Sequence, residues 1–230
     1  MGKPSQIKSN QFPYYITART NDPGTFYLPL DKVWRIFNDL LFLTSKIYSL
    51  RVHGYVLLPD RYHLILSTPD ANLDNAMTYL NREMSKEIGR RSNRINHIFG
   101  DRYRSSLLDS SLNTALVYKY ILRSSVRSLL CDSIEEYPYS SLYGELGLGK
   151  LLMGVAPLTQ MNFLTIPLLP YDRLAWLNKK PSAEQEEVIR KSLRKPIFQI
   201  AFRYLSSRNF RKDLLVPGGV TLPTERGVYH

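Results

Sequence analysis

The sequence has a single cysteine, Cys131, which excludes an intrachain disulfide and a zinc site built on several cysteines. It has no apolar run near the roughly 18 residues that a membrane-spanning helix needs. Its first residues, MGKPSQIKSN, lack the apolar segment of a signal peptide. We therefore expect a soluble protein of a reducing compartment, the cytoplasm, with no membrane partner.

Acidic residues are also few. Twenty Asp and Glu stand against 31 Lys and Arg, which gives a formal net charge of +11 at pH 7 and favours a polyanionic partner. Nucleic acid is the first candidate, and a basic protein without such a partner is the alternative. With 230 residues, 43% of them hydrophobic, the chain can bury a substantial core as one domain, or as one domain with an extension.

The pattern of apolar residues predicts alternating strands and helices. Strand composition occurs at 13–20, 51–59, 61–68 and 103–109, and helical spacing at 31–48, 72–88 and 109–130. The order strand, helix, strand, strand, helix, strand, helix is typical of ferredoxin-like α+β domains. We therefore predict an antiparallel sheet with helices on one face and the other face free to bind.

Glycines near residue 147 predict a joint between this core and a C-terminal extension. The predicted organisation is a domain at 1–147 and a basic helical extension at 148–230, with a poorly ordered tail from about 217. Within the extension, Ser182 and Gln185 fit a capping box at the start of a helix that runs into the basic stretch IRKSLRK.

The stretch LLPDRYHLILSTPD, 57–70, interrupts a buried strand pattern with Arg61, Tyr62 and His63. Strand alternation places Arg61 and His63 on one face and Tyr62 on the other, so a cation and an imidazole share a surface. A second basic region lies between Arg82 and Arg104, where seven Lys or Arg stand against three acids.

Arg102, Tyr103 and Arg104 combine charge with an aromatic ring, the mixture that binds the backbone and bases of single strands. Arg123 and Arg127 follow Tyr120 at helical spacing, and so could bind a phosphate beside its hydroxyl. Ordinary solvated helix faces and surface ion pairs remain the alternative for these arginines.

Three stretches in order, YVLLPDRYHLILSTPDANLDNAMTYLNREMSKEIGRRSNRINHIFGDRYRSSLLD, YKYILRSSVRSLL and YPYSSL, resemble the REP-associated tyrosine transposases of the HUH endonuclease superfamily. The resemblance covers about residues 13–147 and more weakly the basic part of the extension. It implies a DNA substrate, a hairpin from a palindromic repeat, and a tyrosine that attacks a DNA phosphate. A divalent metal, Mg or Mn, bound by two histidines would assist that attack.

The resemblance assigns Tyr120 as the nucleophile and His63 as the second metal-binding histidine. Arg61 stands at the position of the first histidine and, lacking a free electron pair, cannot bind a metal. Ser124 stands where the family usually has an amide ligand. These departures predict a weakened metal site and impaired nicking. Arg61 itself has three alternative interpretations. It clamps a phosphate in place of the metal, it marks a protein that has lost catalysis but retains DNA binding, or it is a solvated charge on the strand.

The overall prediction is a transposase-like protein that binds single-stranded or hairpin DNA. The predicted DNA contacts are Arg61, Arg102, Tyr103, Arg104, Lys119, Arg123 and Arg127. A nuclease-dead DNA-binding regulator is the main alternative. An RNA-binding ferredoxin-like domain is a further one, although the chain has no GFGFV-like strand. Monomer and homodimer both remain open.

Overall fold

The computed structural model describes residues 7–21, 25–94, 97–158, 166–167, 170–201 and 203–204. In chain order, the elements are β1 (Tyr14–Arg19), α1 (Leu30–Ile47), β2 (Arg51–Leu58), β3 (Arg61–Ser67), α2 (Leu73–Ser92), β4 (Arg104–Leu107), α3 (Ser111–Leu122), α4 (Ser124–Arg127), a 3₁₀ turn (Ile134–Glu136), α5 (Ser141–Glu145), α6 (Pro170–Asn178) and α7 (Ala183–Ser192).

The four strands form one antiparallel sheet in the order β2-β3-β1-β4. β1 and β3 lie at its centre, where Thr17 pairs with His63 and Arg19 pairs with Arg61. A tight turn at Pro59 and Asp60, residues favoured in turns, joins β2 to β3. This strand order is that of ferredoxin-like domains, so the predicted α+β class and antiparallel sheet are confirmed.

Helices cover both faces of the sheet, whereas the sequence pattern predicted helices on one face. Tyr62 and Leu64 lie in a core packed with residues of α1 and α2. Tyr15 and Ile65, on the opposite face, lie in a second core packed with residues of α3, α6 and α7. The central strands are buried on both sides, which explains the nearly continuous apolar run of β3.

The ends of the helices differ modestly from the predicted ones. α3 is capped by Ser110, whose hydroxyl oxygen accepts from the Asn113 backbone N–H at 3.2 Å. It ends at Leu122 and is followed by the separate short helix α4, so the observed helix is shorter than the one predicted to run to Leu130. In the described part of the chain, no helix is both long and apolar enough to cross a membrane.

The extension packs against the core and its predicted cap is confirmed. The Gln185 N–H donates to the Ser182 hydroxyl at 3.2 Å, and the Ser182 N–H donates to the Gln185 side chain at 2.5 Å. Ile197 forms a parallel bridge to Leu107 at the edge of the sheet. The boundary near Gly147 stays a prediction, and the tail from 217 lies outside the described residues.

Candidate functional site

His63 lies on the face of β3 that packs against α3, next to Tyr15 of the neighbouring strand β1. The Tyr15 hydroxyl and His63 Nδ1 are 2.9 Å apart, and the two rings stack with centroids 5.8 Å apart. Burial, together with the positive charges of Arg127 and Arg61, lowers the pKa of His63 to about 3. The imidazole is therefore neutral at physiological pH.

Tyr120 of α3 lies on the same side of the sheet as this histidine, partly buried in the second core. Its ring is covered by Arg127, whose guanidinium carbon is 3.9 Å from the ring centroid. Arg127 Nη1 also donates to the Tyr120 carbonyl at 3.4 Å. Burial raises the pKa of Tyr120, and the nearby Arg127 opposes that shift in part, so the phenol is neutral near pH 7.

Arg61, the first residue of β3, forms an ion pair with the neighbouring Asp60. Its Nε and Nη2 donate to the two carboxylate oxygens of Asp60 at 2.9 and 2.6 Å, and Arg19 Nε donates to one of them at 2.9 Å. Burial alone would raise the pKa of Asp60, but the two guanidiniums outweigh it and lower the pKa. The carboxylate is thus ionised and fully engaged, while the Arg61 side chain stays 34% exposed.

The residues that the resemblance assigns to a divalent metal do not fit one. His63 is engaged at Nδ1 and its neighbourhood is cationic. The Ser124 hydroxyl is buried and donates to the Ile121 carbonyl at 2.5 Å. Asp60 is committed to two arginines. Across the described residues, no group of three or more His, Cys, Asp or Glu could hold a metal ion.

A groove of about 560 Å³ opens at the end of the sheet where β3 and β4 begin and β1 ends. We call it the arginine groove. Six arginines line it: Arg19, Arg61, Arg102, Arg104, Arg190 and Arg194. They come from three strand ends and from α7 with its following turn, so the C-terminal extension forms one wall.

The arginines of the groove differ in how strongly they are already paired. Arg102 pairs with Asp74, and Arg190 with Glu187, while Arg19 and Arg61 share Asp60. Arg104 and Arg194 are exposed, and neither pairs with an acidic group within the described ranges. These two cations offer the most accessible positive charge in the groove.

Of the predicted DNA contacts, Arg61, Arg102 and Arg104 lie together in the arginine groove. Arg127 lies against the Tyr120 ring instead. Two other predicted contacts are buried. Lys119 is 1% exposed and its Nζ lies 5.3 Å from the Trp176 ring centroid. Arg123 is 5% exposed and donates to the carbonyls of α6. Neither side chain is available to DNA in this structure.

Tyr103 is also unavailable as a stacking platform. Its ring lies in the first core, and its hydroxyl donates to Asp74 at 2.6 Å. The residues that sequence reasoning missed are Arg19, Arg190 and Arg194. The basic end of α7 was visible, with Arg190 and Arg194 four residues apart, but its position against the sheet depends on tertiary packing.

No protein-family model matches the sequence, and no curated protein matches it. Among solved structures, the chain is similar to a REP-associated tyrosine transposase bound to a REP hairpin, with TM-score 0.57 and 12% identity over 70% of this chain and 98% of that one. A candidate transposase from Deinococcus radiodurans R1 aligns with TM-score 0.36 and 17% identity over 53% of this chain and 94% of that one. The first of these matches confirms the resemblance at the level of the fold: the chain has the fold of a REP-associated tyrosine transposase.

Proposed function

We propose that this protein binds single-stranded or hairpin DNA in the arginine groove, and that metal-assisted nicking at Tyr120 is impaired. The observation that carries the proposal is the groove itself, with six arginines at one end of the sheet. Arginine guanidiniums bind phosphates through paired hydrogen bonds, and a groove of them follows a nucleic-acid backbone. The similar transposase in complex with a REP hairpin supports a hairpin as the form of DNA.

Arg61 acts in this proposal as a phosphate clamp. It stands at the position where the resemblance implies a metal ligand, and its charge lies next to His63 and Tyr120. A phosphate placed there meets a fixed cation instead of a metal ion. Asp60 holds the guanidinium in place through two hydrogen bonds, which also reduces the charge that Arg61 presents.

Cleavage would need the Tyr120 hydroxyl to lose its proton and its oxygen to bond to phosphorus, while a phosphodiester P–O bond breaks and the released sugar oxygen gains a proton. Three features oppose this step. The phenol has a raised pKa, no carboxylate or imidazole of the described residues is hydrogen-bonded to its oxygen, and the metal ligands are missing or engaged. DNA binding is thus the activity that the site supports best.

The first test is binding. Fluorescence anisotropy should show that labelled hairpin and single-stranded DNA bind at low salt, and that binding weakens as salt is added. The Arg104→Ala/Arg194→Ala double variant should bind more weakly. Binding that does not respond to salt, or no binding at low salt, would overturn the proposal.

The second test is cleavage. Labelled hairpin DNA is incubated with magnesium or manganese and run on a denaturing gel, with Tyr120→Phe as the control. We expect no covalent adduct from the wild-type protein or from Arg61→His. A wild-type adduct that disappears in Tyr120→Phe would show an active enzyme and refute impairment, while leaving DNA binding intact. An adduct that forms with Arg61→His alone would place the whole defect at that residue.

A further inference from the structure

Asp101 is the acidic residue in the lining of the arginine groove. It is exposed, and no ion pair joins it to any arginine of the groove within the described ranges. Arg104 and Arg194 also lack an acidic partner there, so this carboxylate forms no ion pair with the two accessible cations of the groove. A carboxylate in a phosphate-binding groove repels the backbone, so a favourable contact of Asp101 with DNA requires a hydrogen-bond donor on a base.

The segment that carries Asp101 is fixed against the end of β1. Thr20 bridges to Phe99, the Asn21 N–H donates to the Ile98 carbonyl at 2.8 Å, and the Gly100 N–H donates to the Arg19 carbonyl at 3.2 Å. These bonds extend the antiparallel pairing by two residues beyond the strand and place Asp101 directly after the pairing.

Gly100 packs closely against Asn21. A Cβ at position 100 would lie 3.1 Å from the Asn21 Cα and 3.3 Å from its side-chain oxygen. The close approach sets the amide of Asn21 beside the turn that carries Asp101, and both residues line the groove. The groove therefore presents one carboxylate and one amide on a backbone that is held by hydrogen bonds.

Carboxylates and amides are among the side chains that read base edges. A carboxylate accepts hydrogen bonds and donates none, so it favours bases that carry an amino group, as in the contact of Asp or Glu with cytosine N4. Thymine has no amino group, and its one donor, N3–H, lies between two carbonyl oxygens that repel a carboxylate, so thymine is disfavoured. In single strands and loops, the unpaired bases expose these edges to the protein.

We propose that Asp101, with Asn21 beside it, reads an unpaired base bearing an amino group while the surrounding arginines bind the flanking phosphates. This inference rests on the proposed DNA binding and names its specificity. The arginines contribute affinity without sequence preference, and Asp101 contributes preference at one position. Asp101 is exposed and its side chain has no partner within the described ranges, so its substitution leaves the fold intact.

The test compares labelled homopolymers of deoxycytidine, deoxyadenosine and deoxythymidine of equal length, measured by anisotropy at one salt concentration. The readout is the change in the affinity ratios between wild type and variant, because homopolymers differ in stacking on their own. The wild type should favour the amino-bearing strands over deoxythymidine, and Asp101→Ala should reduce that preference by about tenfold. Asp101→Asn should bind deoxythymidine better than wild type, since an amide can donate to its carbonyls.

Arg104→Ala is the matched control within the same groove. It should weaken binding to all three strands by the same factor and leave the ratios unchanged. The inference is overturned if both Asp101 variants keep the wild-type ratios, or if they tighten binding to every strand equally, which is the result for a carboxylate that merely repels the backbone. A wild-type protein that binds none of the strands refutes the proposed DNA binding itself.

Discussion

The salt dependence of DNA binding measures how many groove arginines contact phosphate. For single strands, the logarithm of the binding constant falls with the logarithm of salt by about 0.7 per neutralised phosphate. Six groove arginines would give a slope of at most about −4, but four are paired with acids of this chain. Arg104 and Arg194 should therefore account for about 1.4 of the slope.

The Arg104→Ala/Arg194→Ala variant should accordingly show a slope shallower by about 1.4. Between 50 and 200 mM salt, the wild type should lose about sevenfold more affinity than this variant loses. The assay is anisotropy over a salt series. The matched control is Arg35→Ala/Arg51→Ala, which removes two exposed arginines outside the groove and changes the net charge equally.

Two results would refute this reasoning. An unchanged slope in the groove variant would mean that Arg104 and Arg194 contact no phosphate. Equal changes in the groove and control variants would mean that DNA responds to the net charge of the protein and not to the groove.

Two further predictions concern folding. Burial lowers the pKa of His63 to about 3, so below its ordinary pKa of about 6.5 the unfolded chain binds a proton that the folded chain does not; stability should fall on acidification through that window, by about 2 kcal/mol at pH 5. Chemical unfolding at pH 7.5 and pH 5 measures this loss of unfolding free energy. The loss should be smaller in His63→Gln than in the wild type, and an equal loss in both proteins would contradict the prediction. Arg123 donates to the carbonyls of Leu177 and Asn178 at 3.0 and 2.7 Å, and Arg123→Met should cost about 2 to 4 kcal/mol in unfolding free energy, with Arg123→Lys closer to wild type; no loss would show that these bonds do not anchor α6.

Local pattern predicted most of the fold, because strands and helices here follow the spacing of apolar residues. The strand pair around Pro59 and Asp60 and the cap at Ser182 need only neighbouring residues, and both are confirmed. The second core was missed because its partners, such as Tyr15 and Trp176, are far apart in the chain. The C-terminal extension, which the sequence pattern predicted to be separate from the core, packs against one face of the sheet.

The same distinction between local pattern and distant packing decides which functional residues could be predicted. Alternation correctly placed Arg61 and His63 on one face of β3, since that depends on neighbouring residues alone. Helical spacing correctly placed Arg127 beside Tyr120. It could not reveal that Arg123 faces α6, because that choice is made by an element about fifty residues away along the chain.

Several features around His63 act in the same electrostatic direction. Arg61 and Arg127 both place positive charge near the His63 imidazole. Together with burial, these charges keep His63 neutral, and they oppose a divalent cation there by the same electrostatics that favours a phosphate. Tyr15 occupies one nitrogen of the imidazole as well. Both the engaged imidazole nitrogen and the nearby positive charges disfavour a metal ion beside His63, and this is the physical basis for the proposal that Arg61 contacts phosphate.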